Sequence, residues 1–191
     1  MTDKSSHSSL SICLFCGSSE GNDPQHARTA ARLGQLCAEN DARLVYGGGG
    51  IGLMGIAARA AMAAGGEVIG VLPESLEKLE VGLSEITDLV IVDSMHSRKK
   101  MMYDLSDAFV VLPGGVGTLD ETIEMITWAQ LKHHTKPIII VDGNGYWLKF
   151  VELLSHVIDE GFAPPHTADM YTVVADIDHA LPTIRSLIQT T

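Results

Sequence analysis

The sequence contains few cysteines, and their number indicates the redox state of the compartment in which the protein is found. Only three of its 191 residues are cysteine, at Cys13, Cys16 and Cys37. An odd number of cysteines and the lack of a signal peptide favour a reducing compartment, so we expect a cytoplasmic protein. Cys13 and Cys16 have the spacing of a redox motif, but residues three apart in a strand point to opposite faces. We therefore expect no redox role for this pair.

Basic residues are also scarce, and this excludes broad nucleic-acid binding. Lysine and arginine total 13 against 24 aspartate and glutamate residues, which gives a net charge of -11 at pH 7. Because nucleic-acid affinity depends on neutralising phosphates, we predict no nucleic-acid partner. No apolar run reaches the roughly 20 residues that span a bilayer, so we predict no membrane association. His133 and His134 lack further ligands at metal-binding spacing, and we expect neither a metal site nor a Ser/His/Asp nucleophile elbow.

The hydrophobic pattern predicts an α/β fold. Short apolar segments, typical of buried parallel strands, alternate with amphipathic helical segments. The predicted strands cover residues 10–16, 43–46, 67–72, 89–92, 108–112 and 137–141, with a weaker seventh at 171–174. The predicted helices cover residues 25–39, 53–64, 97–105, 119–131, 147–160 and 177–189. We interpret residues 10–191 as a single doubly wound, Rossmann-like domain with a mainly parallel sheet of six or seven strands and helices on both faces, and residues 1–9 as a flexible tail.

The most informative segment is Pro-Gly-Gly-Val-Gly-Thr-Leu-Asp-Glu at residues 113–121. A glycine-rich turn between a strand and a helix exposes backbone N–H groups at the positive end of the helix dipole, which suits a phosphate group. Asp120 and Glu121 follow in the predicted first turn, where a phosphate would repel them, so one of them is a candidate for a chemical role. The alternative is structural, because Thr118 and Glu121 also fit a capping box. Both interpretations stay open at this point.

A second glycine-rich segment, at residues 47–55, matches G-x-G-x-x-G in two registers. A dinucleotide-binding protein is therefore an alternative interpretation. Against it, the pattern follows the second predicted strand rather than the first, and no strand ends in an acidic residue about 20 positions later. Close packing of a helix on the sheet would also explain Gly52 and Gly55. Because residues 17–21, 46–55 and 113–118 each follow a parallel strand, we expect these three loops to converge on one site.

A compact basic cluster, Arg98-Lys99-Lys100, lies at the start of the helix that follows the fourth predicted strand. An arginine there offers a planar fork that can hold a phosphate or a carboxylate. The alternative is a solvated helix face, in which all three side chains point into water.

Four motifs occur in an order that resembles one family. They are Phe-Cys-Gly-Ser-Ser at 15–19, Tyr-Gly-Gly-Gly at 46–49 continuing into Ile-Gly-Leu-Met-Gly at 51–55, Met-His-x-Arg-Lys at 95–99, and Pro-Gly-Gly-x-Gly-Thr-x-x-Glu at 113–121. With Ile-Thr-Trp-Ala-Gln-Leu at 126–131, this combination resembles the LONELY GUY (LOG) family of cytokinin-activating phosphoribohydrolases, long mislabelled as lysine decarboxylases. The resemblance runs from about residue 12 to about residue 174. A decarboxylase commonly needs a Schiff-base lysine, and neither Lys99 nor Lys100 has a convincing setting for one.

The resemblance implies hydrolysis of the N-glycosidic bond of adenosine 5'-monophosphate, plain or N6-modified, to the free base and ribose 5-phosphate, without a cofactor. It implies that Arg98 and Glu121 are the catalytic pair. Substrate or phosphate contacts are implied at Gly17, Ser18, Gly48, Gly49, Glu80, Met95, Lys99, Gly114, Gly115, Val116, Gly117, Thr118 and Thr127. A homodimer is implied as well, with helices 98–103 and 121–131 as candidates for its interface.

Three further expectations accompany this interpretation. The helix dipole should keep Glu121 ionised, as a general base requires. Hydrophobic residues within 76–83 are candidates for the pocket that holds the base. The alternative from another functional class is a carrier module that holds a nucleotide or phosphate without cleaving it.

Overall fold

A seven-stranded sheet forms the centre of the molecule in the computed structural model, which describes residues 10–77 and 85–190. Its strands are β1 (Ser11–Phe15), β2 (Arg43–Tyr46), β3 (Val68–Pro73), β4 (Asp88–Val92), β5 (Ala108–Val111), β6 (Ile138–Val141) and β7 (Thr172–Val174). Their order is β4-β3-β2-β1-β5-β6-β7, and all neighbours are parallel. The chain builds outward from β1 to β4 and then returns to β5 on the other side of β1. Ligands of such folds bind outside the carboxyl ends of the strands at this reversal.

Helices cover both faces of the sheet. They are α1 (Pro24–Glu39), α2 (Gly52–Ala63), α3 (Glu74–Glu77), α4 (Met95–Asp104), α5 (Val116–Gln130), α6 (Leu148–Asp159) and α7 (Ala180–Thr190). Residues of α1, α2 and α7 form one core with one face of the sheet, and residues of α4, α5 and α6 form a second core on the other. Successive residues of β1 alternate between these cores, so the strand is buried on both sides. The predicted doubly wound α/β fold is confirmed.

The predicted elements are confirmed with differences at their ends and two additions. The helix predicted from residue 119 begins earlier, at Val116. The helix predicted over 177–189 is divided, because Asp176 accepts a hydrogen bond from the Asp178 amide and closes a separate 3-10 turn over Ile177–His179 before α7. Helix α3 and a 3-10 helix over Pro165–Met170 were not predicted, since both are too short to show a helical period.

The cysteines lie as the strand pattern predicts. Cys13 belongs to one core and Cys16 to the other, so their thiols point to opposite faces of the sheet. The predicted tail, residues 1–9, lies outside the described residues. Within residues 10–77 and 85–190, no helix combines the length and the apolar character needed to cross a membrane.

Helices α1 and α2 cross at Gly34. A Cβ atom at this position would lie 2.8 Å from the amide nitrogen of Ala61 and 3.1 Å from Cβ of Ala60. The facing residues Ala57, Ala58 and Ala61 are small and fully buried. This contact brings α2 against α1 and thereby fixes where the loop before α2 meets the sheet.

We expect Gly34→Val to lower the free energy of unfolding by about 1–3 kcal/mol, the usual cost of overpacking a core. The added side chain forces α1 away from α2, and urea unfolding followed by circular dichroism measures the loss. Gln35→Val is the matched control, because the next residue of α1 is exposed. Equal stability of the two variants would contradict the close helix crossing.

Candidate active site

A cavity of about 230 Å³ opens at the carboxyl ends of β1 and β2, beside the reversal of strand order. Its walls come from β1 and the loop after it, the loop after β2, and helices α2, α4 and α5. The lining residues are Leu14, Cys16, Gly17, Ser18, Gly47, Met54, Arg98, Met102, Gly115, Val116, Gly117, Thr118 and Glu121. Each of the three predicted loops contributes, so their convergence is confirmed.

The loop before α5 leaves the amino end of this helix open to the cavity. Gly115 is the N-cap residue, and no side chain caps the helix. The amide groups of the first turn are therefore available to an anion. The loop itself is fixed on two sides: the Gly17 amide donates to the Pro113 carbonyl at 3.0 Å, and the Tyr146 hydroxyl donates to the Gly114 carbonyl at 2.6 Å.

The capping-box interpretation of Thr118 and Glu121 is wrong. Because α5 begins at Val116, Thr118 lies inside the first turn and Glu121 in the second. Thr118 is buried, and its side chain occupies the space where a Cβ on Gly114 would lie. Neither side chain caps the helix, so capping does not account for the carboxylate of Glu121.

Arg98 is buried, which contradicts the solvated-face interpretation of its cluster. Only 6% of the residue is exposed. Its Nη2 donates to the Gly47 carbonyl at 2.9 Å and its Nε to the Val71 carbonyl at 3.2 Å. The side chain turns inward because Gly47 leaves it room: a Cβ on Gly47 would overlap the guanidinium. One carbonyl directly after β2 and one within β3 thus hold the fork at the cavity wall.

Glu121 faces this guanidinium. Its Oε1 lies 3.9 Å from Nη1 of Arg98, and its side chain is only 12% exposed. Burial is the largest cause that raises the pKa of Glu121, from 4.5 to about 7. Among the neighbouring charges, Arg98 and Lys99 lower the pKa, and Asp120 and Glu124 raise it further. The raised pKa contradicts the expectation that the helix dipole keeps this carboxylate ionised. The dipole acts within the first turn of a helix, and Glu121 lies in the second.

The structure brings part of the predicted site together. Gly17, Ser18, Arg98, Glu121 and the loop from Gly115 to Thr118 all line the cavity, and Gly114 lines an adjoining one. The other predicted contacts among the described residues do not line it. Gly48 and Gly49 are buried, Met95 and Thr127 are exposed, Lys99 is paired with Asp120 and Glu124, and Glu80 lies outside the described residues.

The sequence interpretation missed the apolar wall of the cavity and one glycine. Leu14 lies in β1 and Cys16 directly after it, and residues two apart in an extended chain share a face. Met102 follows Arg98 by four residues and therefore lies on the same side of α4. These spacings could have predicted three wall residues, whereas the approach of Gly47 to Arg98 is visible only in the fold.

Residues 17–21 match the G-x-S-x-G pattern that is typical of a nucleophile elbow. It does not form a nucleophile elbow, because α1 begins only at Pro24 instead of directly after Ser19. Among the described residues, no hydrogen bond joins Ser19 to a histidine. The pattern thus supplies a loop of the site rather than a serine nucleophile.

The second glycine-rich segment packs α2 against neighbouring backbone. A Cβ on Gly52 would overlap the backbone of Ser18, and a Cβ on Gly55 would overlap that of Gly50. Gly52 also has a φ of +59°, which favours glycine. Close packing therefore accounts for both glycines.

We expect Glu121→Gln to stabilise the protein more at pH 8 than at pH 5, by on the order of 2 kcal/mol. The unfolded carboxyl ionises near pH 4.5 and the folded one near pH 7, so ionising the buried group costs stability as pH rises between these values, with the full cost above them. Urea unfolding at both pH values measures this difference. Glu152→Gln, at an exposed position of α6, is the control. A pH-independent effect of Glu121→Gln would contradict the raised pKa.

The fold is shared with several solved structures. The molybdenum cofactor binding protein of Rippkaea orientalis is similar with a TM-score of 0.73 at 23% identity, over 96% of this chain and 99% of that one. The molybdenum cofactor carrier protein of Chlamydomonas reinhardtii is similar with a TM-score of 0.71 at 21% identity, over 96% and 99%. At this level of identity the similarity concerns the fold alone.

Sequence comparison identifies closer relatives. A family model described as "Possible lysine decarboxylase" matches residues 54–184. Yet no lysine in the described part of the chain lines the cavity. The chain is 41% identical to a cytokinin riboside 5'-monophosphate phosphoribohydrolase of Rhodococcoides fascians, over 92% of this chain and 89% of that protein. It is 43% identical to the phosphoribohydrolase LOG7 of Arabidopsis thaliana, over 81% and 71%. The chain therefore belongs to the LOG family of cytokinin riboside 5'-monophosphate phosphoribohydrolases.

Proposed function

We propose that this protein is a phosphoribohydrolase, which hydrolyses the N-glycosidic bond of an N6-modified adenosine 5'-monophosphate to the free base and ribose 5-phosphate. One observation carries the proposal: a buried carboxyl group and a buried guanidinium, 3.9 Å apart, share a cavity with the uncapped amino end of α5. This arrangement combines an anion site with an acid–base group. The names of the LOG relatives supply the substrate class.

The amino end of α5 is the proposed phosphate site. The amide groups of its first turn and the positive end of the helix dipole suit the 5'-phosphate. Glu121 lies three residues beyond Thr118, about 4.5 Å further along the axis of the same helix. A nucleotide whose phosphate lies at the first turn would therefore direct its ribose toward Glu121 and Arg98.

The proposed chemistry follows from charge. As the bond between C1' and the base breaks, its electron pair leaves with the base and positive charge builds on the ribose. The Glu121 carboxylate stabilises this charge and accepts a proton from the water whose oxygen bonds to C1'. The departing base takes up a proton from solvent water and leaves in neutral form, and Glu121 then returns its proton to solvent, so that the net reaction consumes one water. With a pKa of about 7, Glu121 provides this carboxylate at neutral and alkaline pH and loses it in acid.

Arg98 is proposed as the second catalytic residue. Its Nη2 and Nε are bound to backbone carbonyls, and Nη1 is the nitrogen nearest to Glu121. From this position Arg98 can hold the phosphate or the ribose, or stabilise the departing base. Leu14, Met54 and Met102 give the cavity an apolar wall that suits a flat base. The predicted base pocket within residues 76–83 lies largely outside the described residues.

We also propose that the protein forms a homodimer through the outer face of α5. Ile123 is 40% exposed, and Leu131, directly after α5, is 60% exposed. Their spacing of eight residues places them on one side of the helix. Apolar stripes of this kind on soluble proteins commonly mark interfaces, and a homodimer is the commonest closed assembly.

We expect Glu121→Gln to lower kcat by roughly 100-fold or more with little change in substrate binding, because the variant cannot accept a proton. Chromatography of free base and ribose 5-phosphate, released from AMP and from isopentenyladenosine 5'-monophosphate, measures turnover. The ratio of the two rates gives the preference for the modified base. Glu152→Gln serves as the control.

For Arg98→Ala, the relative changes in KM and kcat identify the role of the guanidinium. A raised KM with unchanged kcat indicates binding of the phosphate or ribose, and a lowered kcat indicates stabilisation of the departing base. Wild-type kinetics in Arg98→Ala, or near-normal turnover in Glu121→Gln, would overturn the catalytic assignment. A nucleotide that binds but is never cleaved would favour the carrier module instead.

The dimer is tested by Ile123→Glu. A charge in the proposed interface should convert the dimer to a monomer, as measured by size-exclusion chromatography with light scattering. Leu153→Glu is the matched control, because Leu153 is an exposed apolar residue of α6. A monomeric wild-type protein, or a dimer that tolerates Ile123→Glu, would contradict this interface.

A further inference from the structure

Charges of opposite sign meet where α4 packs beside α5. Helix α5 contributes Asp120, Glu121 and Glu124, and α4 contributes the consecutive residues Arg98 and Lys99. Three carboxyl groups thus share two cations. The two cations pair with different carboxylates. Arg98 faces Glu121 alone, whereas Lys99 contacts Asp120 and Glu124, which precede and follow Glu121 in the helix.

Lys99 is held by two short ion pairs. Its Nζ lies 3.2 Å from Oδ2 of Asp120 and 3.1 Å from Oε2 of Glu124, and its side chain is only 18% exposed. Burial lowers the pKa of Lys99, but the interactions with Glu124 and Asp120 outweigh it and raise the pKa above its usual value. The ammonium group therefore stays charged and directed at α5, and Lys99 does not line the cavity.

Resting on the proposed function, we infer that Lys99 is a positioning residue that neutralises Asp120 and Glu124 and thereby sets the pH range in which Glu121 is available as a base. The family resemblance had implied a substrate contact at this position. The contacts of its ammonium group point to an electrostatic role in addition.

The direction of this effect follows from the groups that surround Glu121. Arg98 and Lys99 of α4 favour its ionised form, and Asp120 and Glu124 of its own helix disfavour it. Cys13 of β1 and Cys16, directly after β1, also lie near, but burial raises the pKa of both thiols so far that they stay neutral. Removing the charge of Lys99 leaves two unneutralised carboxylates beside Glu121, which then holds its proton to higher pH. Removing the charge of Glu124 has the opposite effect.

The test compares Lys99→Met, Lys99→Arg, Glu124→Gln and the double variant Lys99→Met/Glu124→Gln. We expect Lys99→Met to raise the pKa of Glu121 by about one pH unit and Glu124→Gln to lower it, the usual direction and scale for a neighbouring charge. The double variant should return toward the wild-type value, and Lys99→Arg should retain it. Lys100→Met is the matched control, because Lys100 is exposed and pairs with Asp104 of its own helix.

Two readouts separate this inference from the proposed function. The first is the acid limb of the pH profile of kcat/KM with isopentenyladenosine 5'-monophosphate, which reports the free enzyme and the free substrate. The substrate's phosphate titrates identically for every variant, so a shift between variants belongs to the enzyme. The second is a carbon-13 NMR titration of the Glu121 carboxyl in ligand-free protein, with the signal assigned through Glu121→Gln. If the wild-type protein cleaves no nucleotide, the proposed function fails, while the titration still decides whether Lys99 controls Glu121.

A raised KM for Lys99→Met with an unmoved Glu121 titration would overturn the inference and return Lys99 to a substrate contact. If Lys99→Met does not fold, Glu124→Gln decides the question by itself. A pKa of Glu121 that does not fall in Glu124→Gln would equally overturn the inference.

Discussion

The burial of the Arg98 guanidinium is the interaction on which the site depends. A cation taken out of water is stable in a protein only when carbonyls and a counter-charge replace its hydration. Here the residue after β2 and a residue within β3 supply the carbonyls of Gly47 and Val71, and α5 supplies Glu121. This requirement explains why residue 47 is glycine, since any side chain would overlap the guanidinium. It also fixes α4, and with it Lys99, beside the acidic stretch of α5.

The same burial disfavours the ionised form of Glu121. One guanidinium at 3.9 Å does not replace the water that the carboxylate loses, so its pKa rises to about 7. A group that titrates near the working pH exchanges protons readily, and such groups gather at functional sites at a cost to stability. The raised pKa of Glu121 thus gives a physical reason to regard the residue as chemically active rather than structural.

The fold determines where this chemistry lies and leaves open which chemistry it is. The reversal of strand order between β1 and β5 brings three loops to one edge, as in other doubly wound sheets. A fold of this kind serves many unrelated functions, so the function has to be argued from Arg98, Glu121 and the open end of α5.

The sequence by itself determined the order of strands and helices, the three glycine-rich loops and the order of the family motifs. These are local signals, because hydrophobic period and glycine placement act within a few residues of chain. The exact start of α5 was not predictable from the sequence. It depends on the packing of Thr118 against Gly114 and not on the capping-box pattern of residues 118–121. Only the tertiary structure decided that Arg98 is buried, that Lys99 pairs with Asp120 and Glu124, and that Glu121 resists ionisation. Burial and charge pairing join residues far apart in the chain, and sequence spacing carries no record of the distance or of the water excluded between them.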